Sequence, residues 1–530
     1  MSLLNNKGLT AHPPVAVPAT DQQINMDVRD MKRMGRVQQL QRMFGPWGLM
    51  GFASVTGAVW QYVLLTMIWS LPNGGPSGAL YMFLVCAVGL MLNTVSLAEM
   101  ASMAPSAGGQ YQWISEFAPR NAQKLLSYIV GWLTVLGWQV GLASVCYAVT
   151  LQIKGLVTLV YPNVVFQGWH DSLMTVGVAL CAVLFNTVLV SSLPTLEFIM
   201  LLLHFGAFFV FIFVLGFMGP SSTTGEVFNN WENANEWPRT ATAVLIGIIA
   251  PITTLTSADS ICHLAEELKD ASKWLPRIMV GAAAINFTIG FVLLIVVLFR
   301  AGDFHDAIAS PTGQPYIAIL LNATQSVPGT AVLVAYMTLA LLFCATNVVT
   351  TSSRQLFSFA RDSGVPFSRS LATVSETSFV PVRAIVCTIL VTVILSLILI
   401  GSSLTFNIIA SLFGVALLGS YLTSVSTLVY QRVRGYRLPT TRFSLGRYGL
   451  LINLATIVFD LFAFVMMFFP PGPNPTPAAM NWACLIFGSV VLFALGFYAT
   501  SANHKYRAPL EHTRPEEDVI VELETVTGKA

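Results

Sequence analysis

The chain has 530 residues, of which 55% are hydrophobic, and its 27 Lys or Arg and 25 Asp or Glu side chains leave a net charge of only +2. Soluble domains carry about 25% charged residues. So few charges on so long a chain exclude a soluble enzyme, a disordered scaffold and a nucleic-acid-binding protein, because neither a hydrated surface nor a basic face can be formed.

Apolar segments long enough to cross a lipid bilayer recur along the whole sequence. A bilayer core of about 30 Å requires about 20 apolar residues in a helix. The sequence therefore predicts an all-α integral membrane protein, with a transmembrane domain at 44–502 between an N-terminal tail (1–43) and a C-terminal tail (503–530). The twelve predicted transmembrane spans are 47–71, 77–99, 125–151, 172–193, 196–218, 241–263, 278–299, 330–352, 382–401, 404–430, 448–469 and 481–500.

The distribution of basic residues predicts the orientation of the chain. Lys and Arg concentrate on the cytoplasmic side of membrane proteins. With twelve spans, 24 of the 27 basic residues fall on the side of the two tails, and Lys154, Arg239 and Arg300 fall on the other side. Both termini are therefore predicted to be cytoplasmic, in a multi-pass protein of the plasma membrane that has no cleaved signal peptide.

Small and polar residues interrupt the first predicted span. Its first half contains Ser54, Thr56, Gly57 and Ala58, and Trp60 follows them. We predict that Ser54, Thr56, Gly57 and Ala58 form an unwound segment, in which Gly57 lets the backbone approach a ligand. The alternative is a helix-packing face, because small residues also let membrane helices approach each other closely.

The sixth predicted span contains Pro251 and then a polar run, TLTSADS, at 254–260. If spans 1–5 and 6–10 are two halves of inverted topology, spans 1 and 6 occupy corresponding positions. Broken helices at corresponding positions indicate the substrate site of a transporter near the middle of the membrane. Within the polar run, the predicted binding residues are Thr256, Ser257 and Asp259.

Asp259 lies within an apolar span, where an ionised carboxylate is costly and a functional role is the first hypothesis. It is therefore a candidate both for binding a cationic substrate and for binding a coupling ion. The alternative is that the Asp259 side chain caps the second half of span 6 by accepting hydrogen bonds from free backbone amides. The two roles are compatible.

Further candidate residues lie on spans 3, 5 and 8. On span 3, Trp138 and Gln139 offer a ring and an amide, and aromatic ring faces attract organic cations. On span 5, His204 lies deep in an apolar stretch, and the ordinary histidine pKa of about 6.5 suits a proton carrier; a neutral buried histidine is the alternative. Hydroxyl groups on span 8 could bind sodium or join membrane helices, and they belong to Thr350, Thr351 and Ser352.

Four polar residues outside these groups need separate explanations. Glu99 and Glu197 lie near the predicted cytoplasmic ends of spans 2 and 5, where pairing with Arg or Lys is expected. Asp460 lies in span 11, outside a ten-span core, where helix pairing or a subunit contact could explain it. Asn322 begins a glycosylation sequon on the predicted outer side.

Long motifs follow each other in order over residues 40–510. They are PSAGGQYQW (105–113), SYIVGWLTVLGWQVGLAS (127–144), SADSICHLAEELKDASKWLPR (257–277), SRQLFSFARDSGVPFS (353–368), LGRYGLLINL (445–454), MNWA (480–483) and YRAP (506–509). Together these motifs resemble the fungal amino acid/choline transporter family of the amino acid/polyamine/organocation superfamily.

The resemblance implies a permease with the leucine-transporter fold, in which a 5+5 inverted repeat with broken helices 1 and 6 is followed by two extra helices. It also implies a secondary symporter that works by alternating access and is usually driven by protons. Family members take up choline, 4-aminobutyrate, amino acids or other small amines, so the expected partners are such an amine, a proton and the lipid bilayer. The chain departs from the family pattern at Ser257, where members often have glycine, and at FASVTGAVW (52–60), where many are richer in asparagine.

A channel and an intramembrane enzyme are the alternative functions. The enzyme's best motif is the GPSG string at 75–78, which resembles the GxSG of intramembrane serine proteases, but no histidine on a late span could act as the base. All seven cysteines fall within predicted spans, and the seven histidines show no ligand spacing. No metal site and no cofactor are therefore predicted.

Overall fold

The computed structural model describes residues 21–36, 38–189, 192–375, 379–400, 405–477 and 479–509, and regular secondary structure within these ranges is helical apart from two isolated β-bridges. The parts of the predicted tails at 1–20 and 510–530 lie outside the described residues, as do positions 190, 191, 401 and 404 of the predicted spans.

Twelve helices in the described residues are long and apolar enough to cross a membrane, which confirms the predicted all-α fold with twelve spans. We number them in chain order: α1 (Pro46–Ser70), α2 (Gly75–Met103), α3 (Gln123–Val160), α4 (Gly168–Val188), α5 (Leu193–Met218), α6 (Thr240–Glu267), α7 (Ala271–Arg300), α8 (Val327–Arg361), α9 (Val382–Ile400), α10 (Phe406–Val433), α11 (Gly446–Met466) and α12 (Ala483–Lys505).

Two of these helices extend well beyond the spans predicted at 125–151 and 330–352. The α3 helix reaches Val160, and the α8 helix reaches Arg361. Hydropathy marks only the length that lipid covers, whereas backbone hydrogen bonds continue a helix into polar sequence until its end groups are satisfied in another way. The extension of α8 carries charged residues to one end of the bundle.

The helices differ in how much protein surrounds them. The most apolar window is 89% buried in α1 and α10 and 83% buried in α3, but 28% buried in α11 and 11% buried in α12. Helices enclosed by protein can carry polar groups that lipid would not tolerate. The centre of the bundle therefore contains α1, α3 and α10, while α11 and α12 lie at its edge as the two extra helices.

The α1 helix is broken at a single residue, Ala58. The helix before it, α1a, is Pro46–Gly57, and the helix after it, α1b, is Val59–Ser70. Ala58 has φ +43° and ψ 37°, a left-handed conformation that costs a non-glycine residue about 1–2 kcal/mol. Such strain persists only where the surrounding structure enforces it, and it is found preferentially at functional sites.

The break in α1 is shorter than the sequence predicts. Ser54, Thr56 and Gly57 remain helical. The Ala58 amide still donates to the Ser54 carbonyl oxygen at 3.0 Å, and the Thr56 hydroxyl donates to the Phe52 carbonyl oxygen at 2.6 Å. Because these bonds complete the last helical turn, the unwound segment is reduced to one residue.

The α6 helix is broken over a longer stretch. Its α-helical part ends with Ile249–Leu255, Thr256 is extended (φ −87°, ψ 95°), and Ser260–Glu267 form a 3₁₀ helix. The 3₁₀ form is a tighter helix that proteins use in short pieces. The breaks in α1 and α6 lie five spans apart, which confirms the predicted pair of broken helices.

Close packing of α1 against α5 depends on Gly51. A Cβ atom added there would lie 2.6 Å from the backbone carbonyl oxygen of Glu197, which cannot turn away as a side chain could. We expect Gly51→Ala to lower the free energy of unfolding by about 1–3 kcal/mol, measured as lost thermal stability in detergent. Gly206→Ala in α5 is the control, because no neighbouring atom in the described part of the chain lies within 4 Å of a Cβ at that position. Equal losses in the two variants would contradict this explanation.

Candidate functional site

A small cavity, which we call the central cavity, lies between the breaks of α1 and α6. Its volume is about 30 Å³, and its lining includes Thr56, Gly57, Trp138, Thr256 and Ser257. These five residues are all predicted binding residues, and the structure brings them together. A cavity of this volume holds about two water molecules, so a larger ligand can enter only if the surrounding helices move apart.

Gly57 lies close to α6 and α7. A Cβ atom at this position would lie 3.2 Å from Ser257 Oγ and 3.3 Å from Asn286 Nδ2. On the wall of the cavity, the buried Thr256 hydroxyl has no hydrogen-bond partner among the described residues, and neither has the buried Ser54 hydroxyl close to the break. Buried polar groups without partners are uncommon, so these hydroxyl groups are available to a ligand or a water molecule.

Asp259 is fully buried and accepts hydrogen bonds from three separate helices. Gln110 Nε2 donates to Asp259 Oδ2 at 2.8 Å, and Trp138 Nε1 donates to the same oxygen at 3.2 Å. The Tyr421 hydroxyl donates to Asp259 Oδ1. The Asp259 side chain makes no capping hydrogen bond to the 3₁₀ helix that follows it, so the capping alternative is wrong.

Three residues around Asp259 are missing from the sequence prediction: Gln110, Tyr421 and His263. His263 Nε2 lies 3.7 Å from Asp259 Oδ2. Two of them had a local signal, because Gln110 belongs to the PSAGGQYQW motif and His263 follows Asp259 by four residues, a spacing at which helical side chains meet. Tyr421 is 162 residues away from Asp259, and no local pattern connects the two.

Two predicted binding residues, Trp60 and Gln139, face away from the cavity. The Trp60 ring is stacked on Tyr336 of α8, with ring centroids 6.3 Å apart. Gln139 Nε2 donates to Thr388 Oγ1 of α9 at 3.1 Å. Consecutive residues of an α-helix point about 100° apart, so Gln139 cannot face the same cavity as Trp138.

The buried face of α5 carries His204 and Glu197. His204 Nδ1 is hydrogen-bonded to Gln61 Nε2 at 3.1 Å. Glu197 Oε2 accepts a hydrogen bond from Asn347 Nδ2 at 3.1 Å, and Glu197 forms no salt bridge in the described part of the chain. The expected pairing of Glu197 with Arg or Lys is therefore wrong, because this carboxylate points between α1 and α8 rather than toward a surface.

The three hydroxyl groups that were candidates for sodium binding point toward three different helices. Thr350 donates to an amide oxygen of α4, Thr351 to a backbone carbonyl of α6 and Ser352 to a backbone carbonyl of α3. Successive residues on α8 diverge around the helix axis, and the structure does not bring these hydroxyl groups together.

Buried ion pairs close the end of the bundle nearest to Arg36. Both terminal nitrogens of Arg36 donate to Asp362, at 2.6 and 2.5 Å, and the Tyr111 hydroxyl donates to the same carboxylate at 2.9 Å. Burial alone would lower the pKa of Arg36, but the Asp362 carboxylate raises it well above its ordinary value. Further pairs at this end are Glu99–Arg432, Glu266–Arg361 and Glu267–Arg354.

We call these four pairs the inner ion-pair layer. Its Glu99–Arg432 pair confirms the predicted pairing of Glu99. Asp460, by contrast, has no basic partner within the described ranges and joins two helices, because Asn93 Nδ2 of α2 donates to Asp460 Oδ2 of α11 at 2.7 Å. This contact fits helix pairing, the first explanation considered for Asp460.

A larger cavity, the outer cavity, lies at the opposite end of the bundle. Its volume is about 460 Å³, and its lining includes Trp69, Tyr147, Phe406 and the ion pair between Lys154 and Asp171. Sites for small molecules commonly occupy about 300–1,000 Å³. The outer cavity is therefore large enough for a small solute, whereas the central cavity in this state is not. The exposed Asn322 lies on the short helix Pro315–Thr324 at this same end.

Twelve membrane helices with breaks in the first and the sixth define the leucine-transporter fold. A manganese transporter of Eremococcus coleocola shares this fold with a TM-score of 0.53 over 93% of this chain and 97% of that chain, at 14% sequence identity. Residues 47–490 match the amino acid permease family, and the chain belongs to this family.

Relatives of this chain carry transporter names. A protein of Macrophomina phaseolina named as an amino acid/polyamine transporter is 32% identical, over 82% of this chain and 96% of its own length. Amino-acid permease 2 of Neurospora crassa is 26% identical over 93% and 90% of the two chains, and the choline transporter of Saccharomyces cerevisiae is 25% identical over 90% and 84%. These proteins are membrane transporters, which confirms that the chain is a transporter and not an enzyme.

Proposed function

We propose that this protein imports a small amine, either an amino acid or a related organic cation such as 4-aminobutyrate or choline, together with a proton. The observation that carries the proposal is the central cavity between the breaks of α1 and α6, where helix ends, a backbone-only position at Gly57 and the Thr256 hydroxyl meet. The names of the relatives support the class of substrate, and the family resemblance supports the proton.

Helix ends around the cavity suit a zwitterion or a cation. The carbonyl end of α1a and the carbonyl end of the helix Ile249–Leu255 carry partial negative charge. The amide end of α1b carries partial positive charge, which can hold a carboxylate. Trp138 and Phe413 line the same cavity, and their ring faces can attract an ammonium group. An amino acid would use both kinds of helix end, whereas choline would use only the carbonyl ends and the rings.

Access to the cavity would alternate between the two ends of the bundle. In the proposed cycle the substrate enters through the outer cavity while the inner ion-pair layer is closed. The outer end then closes, the four ion pairs separate, and the substrate leaves on the side of the termini. A channel would instead need both ends open at once, so saturable uptake against a gradient distinguishes the two functions.

Uptake of radiolabelled amino acids, 4-aminobutyrate and choline into cells that express the protein tests the proposal. We expect at least one of these compounds to accumulate above equilibrium, a protonophore to abolish that accumulation, and replacement of sodium to leave it unchanged. Uptake that depends on sodium but not on pH would contradict proton coupling. Uptake that never saturates would favour a channel.

We also propose that both termini lie in the cytoplasm and that the protein resides in the plasma membrane, since 24 of its 27 basic residues fall on the side of the termini. Epitope tags fused at Met1 and Ala530 should therefore be shielded in intact cells and become accessible after permeabilisation. A tag in the loop at 161–167, between α3 and α4, is the matched control and should be accessible without permeabilisation. Labelling of either terminus in intact cells would contradict the orientation.

A further inference from the structure

One ring nitrogen of His263 has no hydrogen-bond partner among the described residues. His263 is fully buried, and its Nδ1 lies 2.8 Å from the carbonyl oxygen of Ala107. A carbonyl oxygen only accepts, so Nδ1 carries the hydrogen, and Nε2 of the uncharged ring has a lone pair instead. Among the described residues, Nε2 forms no hydrogen bond, and its charged neighbour is the Asp259 carboxylate at 3.7 Å.

The Asp259 carboxylate has room for one more donor. Two carboxylate oxygens offer about four acceptor positions, and Gln110, Trp138 and Tyr421 occupy three of them. The Asp259 carboxylate and the His263 nitrogen are both acceptors, so they cannot bond to each other without a proton. A single proton on Nε2, with a movement of the ring that shortens the 3.7 Å separation, would convert this contact into a charge-assisted hydrogen bond.

The other charged groups around the pair already have partners. On the same 3₁₀ helix, Glu266 pairs with Arg361 and Glu267 pairs with Arg354, both from α8. The remaining groups that can titrate next to the pair are Cys262, whose thiol contacts Met279 Sδ of α7 at 3.5 Å, and Tyr421 of α10. On the side of the N-terminal segment, Arg42 donates to the backbone carbonyls of Ala265 in this helix and of Leu268 just after it. Asp259 therefore faces no basic side chain other than His263 in the described part of the chain.

Trp138 connects this pair to the central cavity. Its indole nitrogen donates to Asp259, its ring lies edge-on to the His263 ring with centroids 6.0 Å apart, and the same residue lines the cavity. A substrate that widens the cavity on this side displaces the Trp138 ring. That displacement changes the surroundings of both Asp259 and His263.

We propose that Asp259 and His263 together form the proton site of the transporter, with His263 Nε2 as the atom that takes up the proton and Trp138 as the link to the substrate. The inference rests on the proposed proton symport and deepens it. Uptake forms an N–H bond at Nε2 with a proton from the outer side, and release breaks that bond toward the inner side. His204 differs from His263 in two respects. Its Nδ1 accepts a hydrogen bond from the Gln61 amide, so its unpartnered Nε2 carries the hydrogen and offers no lone pair, and among the described residues no carboxylate forms an ion pair with it.

The test uses purified protein in liposomes that contain a pH-sensitive dye, with the substrate identified by the uptake panel. His263→Asn removes Nε2 while its amide can still donate to the Ala107 carbonyl, and His263→Gln places an amide donor near Asp259. Both variants should retain exchange of labelled for unlabelled substrate, which needs no net proton movement and shows that they are folded. In both variants, the rate of substrate-driven acidification should fall at least tenfold. Uptake should also no longer depend on pH.

His204→Gln is the comparison variant, and it should keep the acidification of the wild-type protein. Wild-type proton flux in either folded His263 variant would overturn the inference, as would loss of that flux in His204→Gln alone. Transport by the wild-type protein without any proton flux would overturn the proposed symport itself, so the two failures are distinguishable.

Discussion

Asp259→Asn should reduce uptake at least tenfold, equivalent to about 1.4 kcal/mol, while the protein still folds and reaches the membrane. The asparagine oxygen can keep accepting from Gln110 and Trp138, which both donate to Oδ2. The asparagine amide group would then face Tyr421, whose hydroxyl can turn and become the acceptor. The hydrogen bonds are retained, and the variant loses only the negative charge. The lost interaction is the attraction between that charge and a proton or a cation. In a poorly hydrated site this attraction is worth more than at a surface.

Uptake of labelled substrate, normalised to the amount of protein at the cell surface, measures this effect. Asp460→Asn is the matched control, because Asp460 is equally buried, accepts from the amide of Asn93 and lies outside the ten-helix core. We expect the control to transport within about twofold of the wild-type rate, below about 0.4 kcal/mol. Wild-type uptake by well-expressed Asp259→Asn would limit Asp259 to a structural role and would leave cation binding to the carbonyl ends of the broken helices.

Arg354→Met should lower the free energy of unfolding by about 3–5 kcal/mol. Arg354 Nε donates to Glu267 Oε1 at 2.8 Å, and the two side chains are only 1% and 3% exposed. Removing the arginine would leave the Glu267 carboxylate buried without a counter-charge, because Arg361, the other arginine of α8 at this end, is already paired with Glu266. The variant should therefore show a large loss of thermal stability in detergent and a reduced amount at the cell surface.

The double variant Arg354→Met/Glu267→Met separates two explanations for that loss. Replacing both members of a buried ion pair by apolar residues is often neutral, since the cost of burying two charges disappears together with their attraction. We expect the double variant to recover most of the stability that the single variant loses. If both are equally unstable, the methionine side chain does not fit between α6 and α8, and the uncompensated charge is not the cause.

The number of spans and the place of the two breaks could be predicted because both depend on local sequence. Lipid offers no hydrogen bonds, so each crossing segment must satisfy its own backbone within a helix and must be apolar over its length. Pro251 and the polar run at 254–260 interrupt that pattern in α6, as small and polar residues do in α1. The length of the break in α1 could not be predicted. Small and polar residues such as Ser54 to Gly57 can form hydrogen bonds in a helix or in an unwound segment, and the sequence does not decide between the two conformations.

The lining of the cavity could be predicted only in part. Thr56, Gly57, Thr256 and Ser257 follow from the breaks themselves, because residues next to a break have free backbone groups. Trp138 and Gln139 are adjacent in a helix without a break, and the rotation of α3 decides which of them faces the centre. That rotation results from packing against many neighbours, since α3 contacts helices from both halves of the chain.

The sequence by itself therefore determined that this protein is a twelve-span permease with paired broken helices, because hydropathy, helix-breaking residues and long motifs are properties of contiguous segments. Only the tertiary structure decided what surrounds Asp259. Its three donors come from positions 149, 121 and 162 residues away. Side chains so distant in sequence meet only after the helices have packed, and no local pattern records which faces will then be neighbours.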